Sequence, residues 1–286
     1  MWCWIPAFAG TRPRSTHCGH QPPIIATFTD VSFDNQGGHR QPRSVALKVS
    51  SSENLLLNSL GDEDFAVIRS SLSCTSLRKG QVLLEAQAKI ETLYFVEAGV
   101  VSFHEVLDDG TRVGVGIIGF EGLTGWSVLL GCERSPHEAT VAIGGGAALC
   151  ISAEALLAAC RARPRLNTLL LLYVQSFVTQ MGRTISSNLN DRLERRLARW
   201  LLMNHDRLDG DEIALTHEQL GVMLGVRRAT VTDTLHILEG EHLIRSMRGR
   251  IIIRDRPRLV DFAGNAYGAA EEAYSRLIAP FPKLRA

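Results

Sequence analysis

The sequence predicts an α+β fold, with an N-terminal β-barrel or jelly roll, then one long helix, then a C-terminal winged helix. Three observations support this order. Short strand patterns separated by glycine turns recur between residues 81 and 152, which is typical of barrels and jelly rolls. The longest helical pattern follows Pro164, and a helix-turn-helix pattern followed by an arginine-rich hairpin occupies residues 214–254.

Length and composition set the limits. The 286 residues are 45% hydrophobic, which is enough for one large or two ordinary domains with packed cores. The longest apolar runs are shorter than the ~20 residues that span a bilayer, so no membrane partner is expected. Six cysteines are scattered without a CxxC pair, so neither a zinc site nor a disulfide framework is predicted.

Residues 1–52 differ from the rest of the chain. They are rich in Pro, Gly, Ser, Thr, His and Gln and show no sustained period of 2 or 3.6 residues. We interpret them as a disordered extension, which reflects a wrongly assigned start codon or a dispensable tail. Trp2–Ala9 is apolar, but it lacks a basic segment and contains Pro6, so it makes a poor signal peptide.

The first globular part is predicted at residues 53–160. Helical spacing over Leu55–Leu72 precedes a series of strands, and Asp109-Gly110 is a strong hairpin signal between two of them. The predicted strands are Gln81–Glu85, Thr92–Glu97, Val100–Val106, Thr111–Ile118, Trp126–Leu130, Ala139–Ile143 and Ala147–Ser152. A short helix at Ala153–Cys160 should close this domain.

A long helix is predicted at residues 161–190. Its apolar positions recur every three to four residues at Leu166, Leu170, Tyr173 and Phe177. Such a wide stripe suits a core helix, or a helix that packs against both the barrel and a partner. Asn188–Asp191 should break the helix before a domain at residues 191–264, and residues 265–286 should form a helical or frayed tail.

The pattern between residues 214 and 244 predicts two helices joined by a tight turn. Thr216 and Gln219 fit a capping box that starts the first helix, and Gly225 ends it. A second helix should run from about Arg227 to Glu239, with Val231 and Leu235 on its apolar stripe.

The candidate DNA-contacting residues lie at the starts of these helices and on the hairpin: Thr216, His217, Arg227, Arg228, Thr230, Arg248 and Arg250. The N-terminal end of a recognition helix enters the major groove, and a wing lies against phosphates. Residues 226–258 carry a net charge of +4, whereas residues 51–160 carry −8. A basic head on an acidic body favours nucleic-acid contact over the alternative, a solvated surface helix pair.

The run Leu215–Ile244 resembles the winged helix of the Crp/Fnr family of bacterial transcription regulators, through Gln219, Leu220, Gly221, Leu224, Gly225, Thr230, Val231, Leu235 and Leu238. The resemblance covers roughly residues 53–264. Arg228 matches the family arginine that pairs with guanine. Arg227 and Ala229 replace the hydroxyl cap and the glutamate that flank it, so the family's usual operator core is not expected.

The resemblance implies a cytoplasmic, sequence-specific DNA-binding regulator with a sensory, cyclic-nucleotide-binding-like barrel. It also implies a homodimer, with residues 161–190 as the dimerisation helix through Leu166, Leu170, Tyr173 and Phe177. Its partners would be double-stranded DNA and, if it is an activator, RNA polymerase.

The effector pocket that the resemblance implies involves Glu121, Gly125, Trp126, Arg134, His137 and Glu138. Gly125-Trp126 stands where the family's ribose-binding Gly-Glu pair belongs, and Glu138 lies near the position of the phosphate-neutralising arginine. Because a carboxylate repels a phosphate, cyclic AMP binding is not expected, and the effector is left unidentified with no cofactor predicted. Cys3 and Cys18 are too sparse for an iron–sulfur cluster. Haem ligation by His104 or His137 stays open.

No nucleophile elbow, P-loop or HExxH spacing occurs, so an enzyme is not predicted. The alternative to a regulator is a small-ligand-binding or interaction module with a vestigial DNA-binding head. The arginines of the second helix and the hairpin discriminate between the two, since only the regulator needs both.

Overall fold

The computed structural model describes residues 52–285. The predicted disordered extension, with Cys3 and Cys18, therefore lies outside the described residues except for Ser52. The described chain combines helices with antiparallel sheets and confirms the α+β class. It begins with two helices, α1 (Leu55–Asn58) and α2 (Asp62–Arg69). The prediction of one helix over Leu55–Leu72 was wrong. The chain turns at Ser59–Gly61, and three acidic residues then start a new helix, where negative charge is favourable.

Seven strands form two antiparallel sheets that enclose the first core. The three-stranded sheet has the order β1 (Ser73–Leu77), β7 (Gly146–Ser152), β3 (Thr92–Val96). The four-stranded sheet has the order β2 (Val82–Leu84), β6 (Glu138–Ile143), β4 (Val100–Val106), β5 (Arg112–Ile118). Gly110, at φ +79°, makes the predicted turn between β4 and β5. Strand β1 was missed because SCTSL is small and polar and carries no strand-like alternation.

The segment Trp126–Leu130, predicted as a strand, is a 3-10 helix. The residues on either side of it, Gly125 and Gly131, both adopt left-handed backbone angles, at φ 71° and 85°. Only glycine enters that region readily, so the segment curls back on itself instead of extending. Trp126 is thereby directed into the core.

Helices α3 (Ala153–Ala162), α4 (Pro164–Asn190) and α5 (Leu193–His205) follow. The side chain of Ser152 accepts a hydrogen bond from the Ala155 amide and caps α3. The predicted break before the last domain is confirmed at residues 191–192. Helix α4 closes the first core, and α5 belongs to a second core shared with the C-terminal domain.

The C-terminal domain is a winged helix. Its helices are α6 (His217–Leu224), α7 (Arg228–Gly240) and α8 (Arg256–Ala263). Its three-stranded sheet has the order β8 (Glu212–Ile213), β10 (Arg250–Ile253), β9 (Ile244–Met247). Both halves of the capping box at Thr216 and Gln219 are present, and Gly225 ends α6 at φ 65°. These local predictions are confirmed.

The last helix, α9 (Ala269–Leu277), packs along α4. Tyr274 and Phe281 are buried in the first core, and the Tyr274 hydroxyl donates to the Glu121 carbonyl at 3.0 Å. Further on, the Lys283 ammonium donates to the carbonyl oxygens of His205 and Leu208. The C-terminal segment is therefore helical, as one of the two predicted alternatives had it, and it is packed, not frayed.

The winged helix is seated on the outer face of the four-stranded sheet. Val100, Ile117 and Ile143 project from that face into the second core. Helix α6 approaches β5 so closely that a Cβ on Gly114 would lie 2.8 Å from the Met223 Cα. Glycine at this position therefore permits the contact, because any side chain would displace the helix.

Candidate functional site

The N-terminal turn of α7 presents a basic surface. Val231, Leu235 and Leu238 are buried in the second core and fix the other side of this helix. Arg227 and Arg228 are exposed at its first turn. Ala229 and Thr230, which follow, are exposed as well. The arrangement leaves the basic N-terminal end of the helix open to a ligand, which is the end that reads bases in helix-turn-helix proteins.

His217, at the start of α6, joins three elements of the winged helix. Its Nδ1 lies 2.9 Å from the Thr232 hydroxyl on α7, and its Nε2 lies 3.2 Å from the Ser246 hydroxyl on β9. Burial, and then the positive charge of Arg228, lower the pKa of His217. Both ring nitrogens thus have partners within the domain. His217 therefore helps to hold α7 and β9 in place, and it also lies beside the exposed first turn of α7.

Thr216 also has a structural role within the domain. Its hydroxyl accepts the Gln219 amide at 3.2 Å as the cap of α6, although the residue remains exposed. The positioning residues Thr232 and Ser246 were missed by sequence reasoning. Nothing in the linear pattern indicates that they converge on one histidine from elements far apart in the chain.

The wing is the turn between β9 and β10. Gly249, at φ 76°, makes the turn, and Arg248 is exposed beside it. Arg250 pairs with Glu212 at 3.2 Å, with about half of each side chain exposed. Such an exposed pair contributes little to stability and is readily exchanged for a phosphate. A Glu239 carboxylate oxygen accepts the Ser246 amide at 2.7 Å and holds the wing against α7.

The six predicted effector residues are not gathered around one space. Glu121 is buried and accepts from Arg207 Nε at 2.8 Å and from the Gly119 amide at 3.0 Å. Trp126 is buried, with its ring 5.7 Å from that of Phe177. The indole and Phe177 thus fill part of the interior between the sheets and α4.

The other predicted effector residues are also committed elsewhere. Arg134 donates from Nη1 to the Gln87 carbonyl at 2.7 Å, and His137 Nδ1 lies 2.9 Å from Glu105. Glu138 receives two hydrogen bonds from Arg112, at 2.8 and 2.9 Å. These bonds lower the pKa of the Glu138 carboxyl, with the Arg112 hydrogen bond as the largest cause. Glu138 lies on the outer face of the four-stranded sheet.

The four residues expected at a dimer interface pack inside the chain's own first core. Leu166, Leu170, Tyr173 and Phe177 are 0–2% exposed and belong to the first core. A partner therefore cannot reach them on the folded chain. The solvent-facing apolar residues of α4 are instead Val178, Ile185 and Leu189, at 43%, 62% and 79% exposure. Sequence reasoning missed these three.

Two negative findings apply to residues 52–285. None of the helices there is long and apolar enough to cross a membrane. Within the same range, no cluster of three or more His, Cys, Asp or Glu side chains is arranged to hold a metal ion.

Two family models match the sequence. A Crp-like helix-turn-helix domain matches residues 195–262, and a cyclic nucleotide-binding domain matches residues 74–163. Together they span more than half of the chain and coincide with the winged helix and the two-sheet domain. No curated relative matches the sequence.

Solved structures share this architecture. FixK2 from Bradyrhizobium japonicum is 20% identical, with a TM-score of 0.59, over 68% of this chain and 98% of its own. A putative transcriptional regulator of the crp/fnr family from Eubacterium rectale is 20% identical, with a TM-score of 0.58, over 73% of this chain and 97% of its own. The c-di-GMP responsive global regulator CLP of Xanthomonas campestris is 15% identical, with a TM-score of 0.57, over 68% of this chain and 99% of its own. At these identities the likeness establishes the fold.

Proposed function

The chain belongs to the Crp/Fnr family of DNA-binding transcription regulators, and we propose that it reads its operator through the N-terminal turn of α7 and the wing. The single observation that carries this proposal is the exposed basic end of α7. Arg227, Arg228 and Thr230 face solvent while the opposite stripe is locked into the core. In this proposal Arg228 contacts a guanine edge, and Arg248 and Arg250 contact phosphates.

The missing glutamate has a consequence for the operator. Ala229 lies between Arg228 and Thr230, where the family pattern has a carboxylate. A carboxylate accepts a hydrogen bond from the cytosine amino group, and alanine cannot. We infer that the operator departs from the family's usual core at the base pair which that glutamate would read.

The experiment is fluorescence anisotropy with a labelled fragment of the gene's own promoter region. Arg228→Ala should weaken specific binding by about 1–3 kcal/mol. The matched control is Arg161→Ala, which removes the same charge from an exposed position on α3 and should leave affinity unchanged. Equal binding by wild type and Arg228→Ala would remove Arg228 from base reading.

We also infer that the protein acts as a dimer through the outward face of α4. Val178, Ile185 and Leu189 are separated by seven and four residues, the spacing of a coiled-coil seam. The occupant we assign to this face is the same face of a second copy. A two-fold dimer would present two α7 helices to a two-fold operator.

The effector is proposed to be something other than cyclic AMP. Trp126 occupies the position of the ribose-binding carboxylate and is buried, and Glu138 is already neutralised by Arg112. Arg134 is held by a main-chain carbonyl. None of these predicted residues offers a free positive charge to pair with a cyclic phosphate. Burying the phosphate unpaired costs several kcal/mol.

RNA polymerase is expected as a partner if the protein activates transcription. Because the proposed target is DNA and the family regulates transcription in bacteria, the cytoplasm is the compartment we propose.

A further inference from the structure

A cavity of ≈310 Å³ lies between the sensory domain and the winged helix. The outer face of the four-stranded sheet forms one wall, with Ser102, His104 and Glu138 among its residues. Helix α6 forms the opposite wall, with Val222 and Met223. The cavity is separate from the interior where Trp126 and Phe177 pack, and it is built from both domains.

His104 is the polar group that this cavity leaves unused. The residue is 7% exposed, and its Nδ1 is buried without a hydrogen-bond partner among the described residues. The nearest carboxylate oxygen, on Glu138, is 3.9 Å from Nδ1, beyond hydrogen-bonding distance. Burial, as the largest cause, lowers the pKa of His104, so the ring is neutral near pH 7. A buried imidazole nitrogen without a partner costs free energy, so His104 lies in the wall of the cavity with unmet hydrogen-bonding capacity.

The charges around the cavity already cancel. Arg112 and Glu138 form a bidentate pair at 2.8 and 2.9 Å. An anion entering the cavity would have to compete with Glu138 for Arg112, and a cation would have to compete with Arg112 for Glu138. An anion that takes Arg112 leaves Glu138, whose side chain is 10% exposed, without its partner, which is unfavourable. A cation leaves Arg112, whose side chain is 50% exposed, to solvent, but it must still displace a bidentate partner from Glu138. The site therefore discriminates most strongly against anions.

The rest of the lining is mostly apolar and includes Val82, Ile117, Leu215, Val222 and Met223. Its size is at the lower end of the ~300–1,000 Å³ range of small-molecule sites. From the shape, the cancelled charges and the unused imidazole, we propose that this interdomain cavity binds an uncharged, mainly apolar small molecule with one hydroxyl or amide group that hydrogen-bonds His104.

Such a ligand would couple sensing to DNA reading, and this part of the inference rests on the proposed function. It contacts the sheet on one side and α6 on the other, so it stabilises the seated position of the winged helix over other positions. A ligand that binds one arrangement more tightly shifts the population toward it. Because α6 and α7 share the second core, the reading surface moves with α6, and operator affinity should change when the cavity is filled.

The test uses three probes of one shape, measured by calorimetry on the full chain: 2-naphthol, naphthalene and 2-naphthoate. 2-Naphthol should bind roughly 2- to 12-fold more tightly than naphthalene, the value of one net hydrogen bond. 2-Naphthoate should bind most weakly of the three. His104→Leu should abolish the preference for 2-naphthol over naphthalene. Equal affinities for the three probes in the wild type would overturn the proposed ligand class.

A cavity-filling variant separates the site from the fold. Val222→Trp should remove binding of 2-naphthol, whereas Val67→Trp, on the exposed face of α2, should retain it. Saturating 2-naphthol should change operator affinity in the wild type and leave it unchanged in Val222→Trp. If DNA binding is normal but the probe has no effect on it, the effector role fails while the proposed function stands. If the wild type does not bind its operator at all, the proposed function is what fails, and the calorimetry still decides the site.

Discussion

Glu121 and Arg207 form a buried ion pair that joins the sensory domain to the end of the α5 segment. Their side chains are 3% and 2% exposed, and the shortest nitrogen–oxygen distance is 2.8 Å. The second Glu121 oxygen accepts the Gly119 amide, and Arg207 also donates to the Met203 carbonyl at 2.7 Å. The Arg207 guanidinium lies 5.3 Å from the centre of the Phe281 ring. The pair is thus fully bonded and covered by the C-terminal segment.

We predict that Glu121→Leu destabilises the chain by about 3–5 kcal/mol, because a buried charge loses its partner. For a domain of this size that corresponds to a fall of roughly 6–20 °C in Tm. Arg207→Met should cost a similar amount, since it leaves the buried Glu121 carboxylate without its partner. The double variant Glu121→Leu with Arg207→Met should cost much less than the sum of the two, because no uncompensated member of the pair remains.

The assay is urea unfolding followed by circular dichroism, at one fixed protein concentration because the proposed dimer would make stability depend on concentration. The matched control is the exposed pair Arg250–Glu212, where Glu212→Leu should cost no more than about 1 kcal/mol. Strictly additive effects of the two buried substitutions, or a cost for Glu121→Leu as small as the control, would refute the buried pair. They would also reopen an effector role for Glu121.

Four further predictions follow from named contacts. Ile185→Glu should split the dimer in sedimentation velocity, whereas the adjacent Ser186→Glu should not; an intact Ile185→Glu dimer would place the interface elsewhere. Calorimetry should detect no micromolar binding of cyclic AMP or cyclic GMP. Micromolar binding that is abolished by Arg134→Ala would contradict the proposal that the effector is not a cyclic nucleotide. Arg248→Ala should weaken binding to all DNA sequences alike and reduce the salt slope by about one unit; a sequence-selective loss would assign Arg248 to base contacts. The pKa of His217 is lower in the folded chain than in the unfolded chain, so below about pH 6.5 the unfolded chain binds a proton more readily. The free energy of unfolding should therefore be highest above about pH 6.5 and fall below it, and it should fall less in His217→Gln. Urea midpoints at several pH values would measure this.

The winged helix could be predicted in detail because its code is local. Thr216 and Gln219 are three residues apart and cap each other, and Gly225 supplies the left-handed residue that the turn requires. The buried stripe of α7 is fixed by the helical period alone. Each of these rules acts within one or two turns of chain. Their outcome therefore does not depend on which domain the helices later meet.

The faces of α4 could not be predicted in this way. Leu166, Leu170, Tyr173 and Phe177 satisfy the helical period, but the same period continues through residues that point outward. Which stripe meets the barrel and which meets a second chain is decided by tertiary contacts, such as the Tyr173 hydroxyl that accepts from the Leu123 amide at 3.0 Å. An apolar stripe predicts that a helix face is buried, but it does not predict which element covers that face.

The predicted effector residues have separate partners in the structure for a related reason. The sequence indicated that Glu138 lies beside a ligand site, but not on which face of its strand. Side chains on a strand alternate between faces, so one step of register moves a residue from the interior to the outside of the sheet. In the structure Glu138 is on the outside, paired with Arg112, and faces the winged helix. The position that the family pattern assigns to a phosphate site is here part of the surface of the sheet that faces the winged helix.

The contact between the winged helix and the four-stranded sheet is made by hydrogen bonds from side chains to main-chain carbonyls as well as by apolar packing. The Lys79 ammonium donates to the Ala214 carbonyl at 2.7 Å, and Gln219 Nε2 donates to the Ala142 carbonyl at 3.2 Å. Gln219 also completes the cap of α6, so the residue that starts the helix is the one that ties it to the sheet. At Gly114 and Met223 helix α6 already touches β5, so it cannot move closer to the sheet at that point. We expect a change in the spacing or register of β5 and β6 to displace α6, and α7 with it. An effector bound at the four-stranded sheet would then reach Arg227 and Arg228 through α6.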